Sequence, residues 1–158
     1  MAVNLPPLSP LLPVPGIALG TACAGIKQTR RDDLVLMQVT GSQSSCAAVF
    51  TQNAFCAAPV LVARDHLAAG AVQYLLINSG NANAGMGAEG LDNARRSCQA
   101  VADLQACPPH AVLPFSTGVI GQRLAVDKIE AGLPHAIAHL QPDNWPAAAR
   151  ALGIVGGT

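Results

Sequence analysis

The apolar residues between Gly16 and Arg150 fall into short runs whose period changes several times along the chain. From Gly16 to Ala24, Ile17, Leu19, Thr21 and Cys23 alternate loosely and predict a first strand. Leu34 to Thr40 predicts a second, with Val35, Met37 and Val39 on one face. Ala47 to Thr51 reads as another strand, ended by a Gln52-Asn53 turn. Pro59 to Arg64 leads toward a short helix around Asp65 to Ala69, and Val72 to Ile77 is a compact apolar run typical of a buried strand. Leu91, Ala94, Cys98, Val101 and Ala102 then recur at helical spacing, opposite Arg95, Arg96, Gln99 and Asp103, until Pro108-Pro109 stops the pattern. Ala111 to Phe115 predicts one more strand. Val126, Ile129 and Leu133 mark a helix cut by Pro134, and a last helix begins near Asp143 with Trp145 on its buried side. Strands and helices are interspersed and no repeat occurs, so the fold class is α/β in the mixed α+β sense, a mixed sheet with packed helices.

Composition adds a constraint that the pattern does not. The 158 residues suffice for one domain with a real core. They are 51% hydrophobic and 11% charged, with a formal net charge of zero, whereas ordinary soluble domains carry about 25% charged residues. A surface so poor in charge suits a covered face better than a free monomer, so a partner chain or a further segment is expected over part of it. The absence of a basic stripe and the 3% aromatic content argue against nucleic acid. No apolar run approaches the ~20 residues of a membrane helix. Residues 1–15 contain five prolines and no basic start, which describes an irregular lead-in rather than a signal peptide. The five cysteines, Cys23, Cys46, Cys56, Cys98 and Cys107, are widely spaced and odd in number. They read as buried, reduced thiols of a cytoplasmic protein.

Two segments carry candidate chemistry. Pro114-Phe115-Ser116-Thr117-Gly118-Val119-Ile120-Gly121 runs from an apolar strand into Ser-Thr-Gly. It is either an ordinary turn or a place where a backbone N–H and the Thr117 hydroxyl meet an oxyanion. Asn78-Ser79-Gly80-Asn81-Ala82-Asn83-Ala84-Gly85 follows the buried strand. Asn78, Asn81 and Asn83 are candidates to hold a small polar ligand, or else to build a structural loop.

Other matches fail on context. Gly85-Met86-Gly87-Ala88-Glu89-Gly90 fits a dinucleotide fingerprint literally, but it starts seven residues after Ile77 and lacks an acid at the end of a second strand. His135 and His139 stand four apart without the glutamate of a zinc-protease helix or a third ligand, so no metal is expected. Cys46 and Cys56 have no histidine near them in sequence, which ranks a thiol hydrolase last. His66 and His110 carry no signal.

Together the segments resemble the ornithine acetyltransferases, also called glutamate N-acetyltransferases, of arginine biosynthesis. The likeness runs from Pro15-Gly16-Ile17 to about Arg150 through Gly25-Ile26-Lys27, Val49-Phe50-Thr51-Gln52-Asn53, Phe55-Cys56-Ala57-Ala58-Pro59-Val60 and the two glycine-containing segments above. The resemblance implies a precursor that cuts itself before a threonine. That threonine, at the start of a second chain, carries the acetyl group from N-acetylornithine to glutamate. It implies that Thr117 and Gly118 form the oxyanion hole, that the substrates are amino acids, and that no cofactor is needed; acetyl-coenzyme A as a further donor stays open. The family's lysine-glycine segment and Ala-Thr-Met cleavage site have no counterpart, the only lysines being Lys27 and Lys128. Nor does Leu152-Gly153-Ile154-Val155-Gly156-Gly157-Thr158 follow the family's Ile-Met-Thr-Thr-Asp-Thr. The expectation is an α-chain-type domain over 16–151 with a divergent tail over 152–158. It is incomplete without the C-terminal part of its precursor, a β chain with which it forms a hetero-oligomer, and it lacks the nucleophile. The alternative is a non-catalytic scaffold or small-molecule-binding module.

Overall fold

The computed structural model describes residues 11–27, 30–41 and 44–153. Most of the lead-in and of the divergent tail lies outside them. Four strands, β1 (Ile17–Ala22), β2 (Leu34–Val39), β3 (Tyr74–Asn81) and β4 (Val112–Val119), form one sheet in the order β1-β2-β3-β4. The first two pairings are antiparallel and β3–β4 is parallel. A parallel neighbour requires a crossover, and α2 (Gly87–Gln105) supplies it, followed by a single 3-10 turn at Pro109–Ala111. The remaining helices are α1 (Ala58–Ala69), α3 (Val126–Ala138) and α4 (Trp145–Leu152).

The alternation of each strand sorts its side chains between two faces. Ala22, Leu34, Leu36, Tyr74, Leu76 and Val112 meet Ala94, Cys98 and Val101 of α2 and Val126, Ile129, Leu133 and Ala136 of α3 in the main core. On the reverse face Leu19 and Val35, with Ile17, Met37 and Ile77 beside them, pack against Trp145, Ala148 and Ala151 of α4. α3 approaches β1 closely because Gly20 has no side chain: a Cβ there would lie 1.8 Å from the Ala136 carbonyl oxygen.

Three expectations need correction. Ala47 to Thr51 is not a strand: it makes no ladder, and Val49 is 99% exposed. Its alternation suits a sheet, but it pairs with neither outer strand, β1 or β4. The helix expected around Asp65 to Ala69 starts at Ala58, with Pro59 in its first turn where a missing N–H costs nothing. Nor does Pro134 cut α3, which continues to Ala138. The ring is exposed, and Leu133 and Ala136 on either side are fully buried, so their packing outweighs the lost backbone bond. The thiols also differ from expectation. All five are free, but only Cys98 is buried, its ionisation pushed up to about 12 by burial, while Cys23 and Cys46 are exposed. No helix among the described residues is long and apolar enough to cross a membrane.

Candidate functional site

The two segments singled out in the sequence lie side by side. In the parallel register Asn78 is opposite Ser116, Ser79 opposite Thr117, and Gly80 opposite Gly118, with an irregularity at Gly80/Asn81. Thr117 and Gly118 thus belong to the last turns of the pleat of β4 rather than to a turn; the chain bends only from Ile120 onward. Two glycines make this possible. Gly118 has φ +133°, and a Cβ on it would come within 2.3 Å of the Gly80 carbonyl carbon. Gly80 in turn has φ +102° and lies so near Lys27 that a Cβ would meet its Cγ at 2.8 Å. Both positions demand the freedom only glycine has.

The asparagines tie this strand end together. Asn78 Nδ2 donates to the Asn81 carbonyl at 2.9 Å, and its Oδ1 accepts from Ser116 Oγ at 2.6 Å. Asn81 Nδ2 donates to the carbonyls of Gln122 and Arg123 at 3.1 and 3.2 Å, anchoring the segment after β4. Asn81 Oδ1 accepts from the Asn83 backbone N–H at 2.8 Å, and Asn83 Nδ2 donates to the Gly90 carbonyl in the first turn of α2 at 2.9 Å. Asn83 holds φ +47°, which asparagine tolerates better than most residues. All three side chains are buried. Asn83 Oδ1 is the one atom of the three carboxamides left buried without a partner among the described residues.

Thr117 and Gly118 are exposed. With Lys27, Ser79, Gly80, Val119 and Leu152 they line an open cleft of about 320 Å³. The floor of this cleft is pinned from below. Ser79 Oγ donates to the Ala151 carbonyl at 2.7 Å and Lys27 Nζ to the same oxygen at 3.2 Å, at the C-terminal, partially negative end of α4. The loop carrying Lys27 is fixed by Asp33, fully buried, whose Oδ1 and Oδ2 accept from the backbone N–H groups of Ala24 and Lys27 at 2.7 and 2.8 Å. Gly25-Ile26-Lys27 therefore takes part in the site, a placement that sequence spacing gave no means to find.

Other candidates do not join the cleft. Cys46 lies in a separate cavity of about 610 Å³ between β1, β2 and the following loop, lined by no histidine. Cys56 Sγ faces the Thr51 carbonyl at 4.0 Å. His66 Nδ1 lies 2.7 Å from the Val112 carbonyl oxygen. No group of three or more His, Cys, Asp or Glu residues gathers around one point among the described residues.

This mixed sheet with its packed helices is the fold of a solved ornithine acetyltransferase. The enzyme of that name from Mycobacterium tuberculosis, solved in complex with ornithine, superimposes with a TM-score of 0.84 at 33% identity, over 89% of this chain and 76% of that one. The arginine biosynthesis bifunctional protein of Bacillus halodurans gives 0.74 at 34% identity, over 88% and 70%. The profile of the ArgJ family matches residues 18–155, and the chain belongs to that family. Among curated relatives, the arginine biosynthesis bifunctional protein ArgJ of Methylococcus capsulatus is 58% identical over 90% of this chain. Its counterpart from Pseudomonas syringae pv. tomato is 54% identical over 96%. The chain spans about a third of the length of these relatives, 34% and 37%.

Proposed function

We propose that this chain is the oxyanion-binding half of an acetyltransferase that moves an acetyl group from N-acetylornithine to glutamate in the cytoplasm, in the arginine branch of amino-acid biosynthesis. The nucleophile, a threonine freed by cleavage of the longer precursor, belongs to the remaining part of the protein. Its α-amine takes the hydroxyl proton as the oxygen attacks the acetyl carbonyl, and an acetyl-threonine ester forms as ornithine leaves. Glutamate then attacks that ester through its amine and regenerates the hydroxyl. Each half-reaction passes through a tetrahedral intermediate whose oxygen gathers negative charge. The hydroxyl of Thr117 and the backbone N–H of Gly118 are assigned to meet it, because donors fixed in advance cost no reorganisation when the charge develops.

The observation that carries this reading is the exposed Thr117–Gly118 pair at the rim of a cleft, on an outermost strand, in a chain of this family. Successive residues of a strand turn their amides to opposite edges, so of two consecutive amides on β4 one faces away from β3. In this reading Asn78, Asn81 and Asn83 act from behind, holding the strand ends at the spacing the oxyanion needs, and substrate contacts come from the cleft surface. The partner is the remainder of the precursor.

Acetyl transfer from N-acetylornithine to glutamate is the test. The purified chain alone is expected to show none. The chain co-expressed with the remaining segment of a family relative is expected to turn over and to leave an acetyl group on that segment's N-terminal threonine. In the complex, Thr117→Val, which keeps the shape and deletes the hydroxyl, should cost about 2.7–4 kcal/mol of transition-state stabilisation. Replacing N-acetylornithine by acetyl-coenzyme A in the same assay decides whether a second donor is used. Turnover by the chain alone would place the nucleophile within these residues and overturn the assignment.

A further inference from the structure

The stretch that alternates like a strand without entering the sheet has a bare backbone. None of the N–H and C=O groups of residues 45–50 has a hydrogen-bond partner among the described residues, and residues 45–49 are exposed. The stretch runs without a turn or bend, yet a lone strand gains nothing from that conformation, since ladders and cross-strand neighbours are what stabilise one. It is held from its two ends. Before it, the Ser44 N–H donates to the Gly41 carbonyl at 3.1 Å. After it, Arg64 Nη2 donates to the Thr51 carbonyl at 3.3 Å, and Thr51 Oγ1 and Asn53 Oδ1 accept from the N–H groups of Asn53 and Phe55 at 3.2 and 2.9 Å. Phe50 packs beside Ala63 and Leu113 with the Arg64 guanidinium 5.4 Å from its ring centroid, while Val49, next to it in the alternation, is 99% exposed.

The sheet of this chain does not complete the stretch. β4 shares an apolar groove of about 280 Å³ with it, but β4 carries Pro114, which has no N–H to give a further ladder. The outer edge of β1 is already occupied: Leu19 exchanges both backbone bonds with Gln141, at 2.9 and 3.0 Å, and its carbonyl also accepts from Asn144 Nδ2 at 3.1 Å. A second copy brings the same two edges. The curated relatives bring much more chain, since the matched region is only 34% and 37% of their length.

We propose that residues 45–50 are a docking strand, to which a β-strand from the remaining part of the precursor adds by backbone pairing. The proposal rests on the reading above that this remainder is the partner. The bare backbone selects the kind of element that docks. A helix satisfies its own N–H and C=O groups and could cover only the side chains, whereas a strand brings free donors and acceptors at matching spacing. Its apolar side chains would lie over Val49 and, across the groove, Phe115.

The test is hydrogen–deuterium exchange on the full chain, alone and co-expressed with the remaining segment of the Methylococcus capsulatus relative. Successive amides face opposite edges, so every second amide of residues 45–50 should exchange about a hundredfold more slowly in the complex than in the chain alone. Ala47→Pro and Ala48→Pro each delete one N–H at an exposed position, where the chain should still fold. The one whose amide faces the partner should weaken the complex by about tenfold or more, and Ala47→Ser and Ala48→Ser should not weaken it. Three results would overturn the proposal: no complex, a complex in which these amides exchange as fast as in the chain alone, or equal protection in the chain alone, which would assign the strand to a second copy. Acetyl transfer is scored separately. A protected complex without turnover keeps the docking strand and refutes the acetyl-transfer reading, and turnover by an unprotected complex does the reverse.

Discussion

The two faces of the sheet are built from the same kind of alternating strand, yet they end differently. One face is closed: Leu34, Leu36, Ile129, Leu133 and Val101 are essentially inaccessible beneath α2 and α3. The reverse face is closed by α4 over Leu19 and Val35, and by Ala63 and Leu67 of α1 beside Leu113 and Leu75. Beyond Leu113 it opens, and Phe115 (41%), Val119 (49%) and Ile120 (66%) remain exposed on or just after β4. Val49 and Phe55 continue the same surface. Val49 shares an apolar groove of about 280 Å³ with Phe115, and the Phe55 ring and the Ile120 side chain both stand within 4 Å of where a Gly85 Cβ would be. Exposed apolar surface this continuous signals an interaction site. Thr117 and Gly118, which line the open cleft, are exposed beside it.

This contrast can be broken from either side. The largest effect is expected at the closed face with Gly20→Val, since its Cβ would collide with backbone rather than with a movable side chain. Overpacking typically costs about 1–3 kcal/mol and more when nothing can yield, and loss of the cooperative unfolding transition by circular dichroism is the expected result. Leu133→Ala, which hollows a fully buried position, should cost about 2–5 kcal/mol in urea unfolding. On the open face Phe115→Ala should change the stability of the isolated chain by only about 0.5 kcal/mol or less. Equal costs for Leu133→Ala and Phe115→Ala would mean that the open face is part of the core after all.

The sequence revealed the closed face better than the open one. The 3.6-residue period of Leu91, Ala94, Cys98 and Val101 reports packing within the described chain, and α2 formed as expected. Ala47 to Thr51 has equally good alternation but makes no ladder, because a strand pattern says that an edge is wanted and not where the edge is. Pro134 misled for a related reason: a local rule about backbone bonds was outweighed by the burial of Leu133 and Ala136, which only the tertiary packing reveals. At the cleft, the adjacency of Asn78–Gly85 and the Ser-Thr-Gly segment was legible, since two strands joined by one helix commonly pair. The support from Lys27, Asp33 and the Ala151 carbonyl was not, because those contacts join residues as far as 124 positions apart.

The measurement closest to the central claim is sedimentation of the chain with and without the remaining segment of a family relative. The parent chain alone should self-associate, and with that segment it should form a defined hetero-complex. Phe115→Asp, a charge placed in the middle of the open face, should prevent that complex while leaving the fold of the chain intact by circular dichroism. A parent chain that stays a monodisperse monomer in the presence of the segment, or a complex indifferent to Phe115→Asp, would contradict the account.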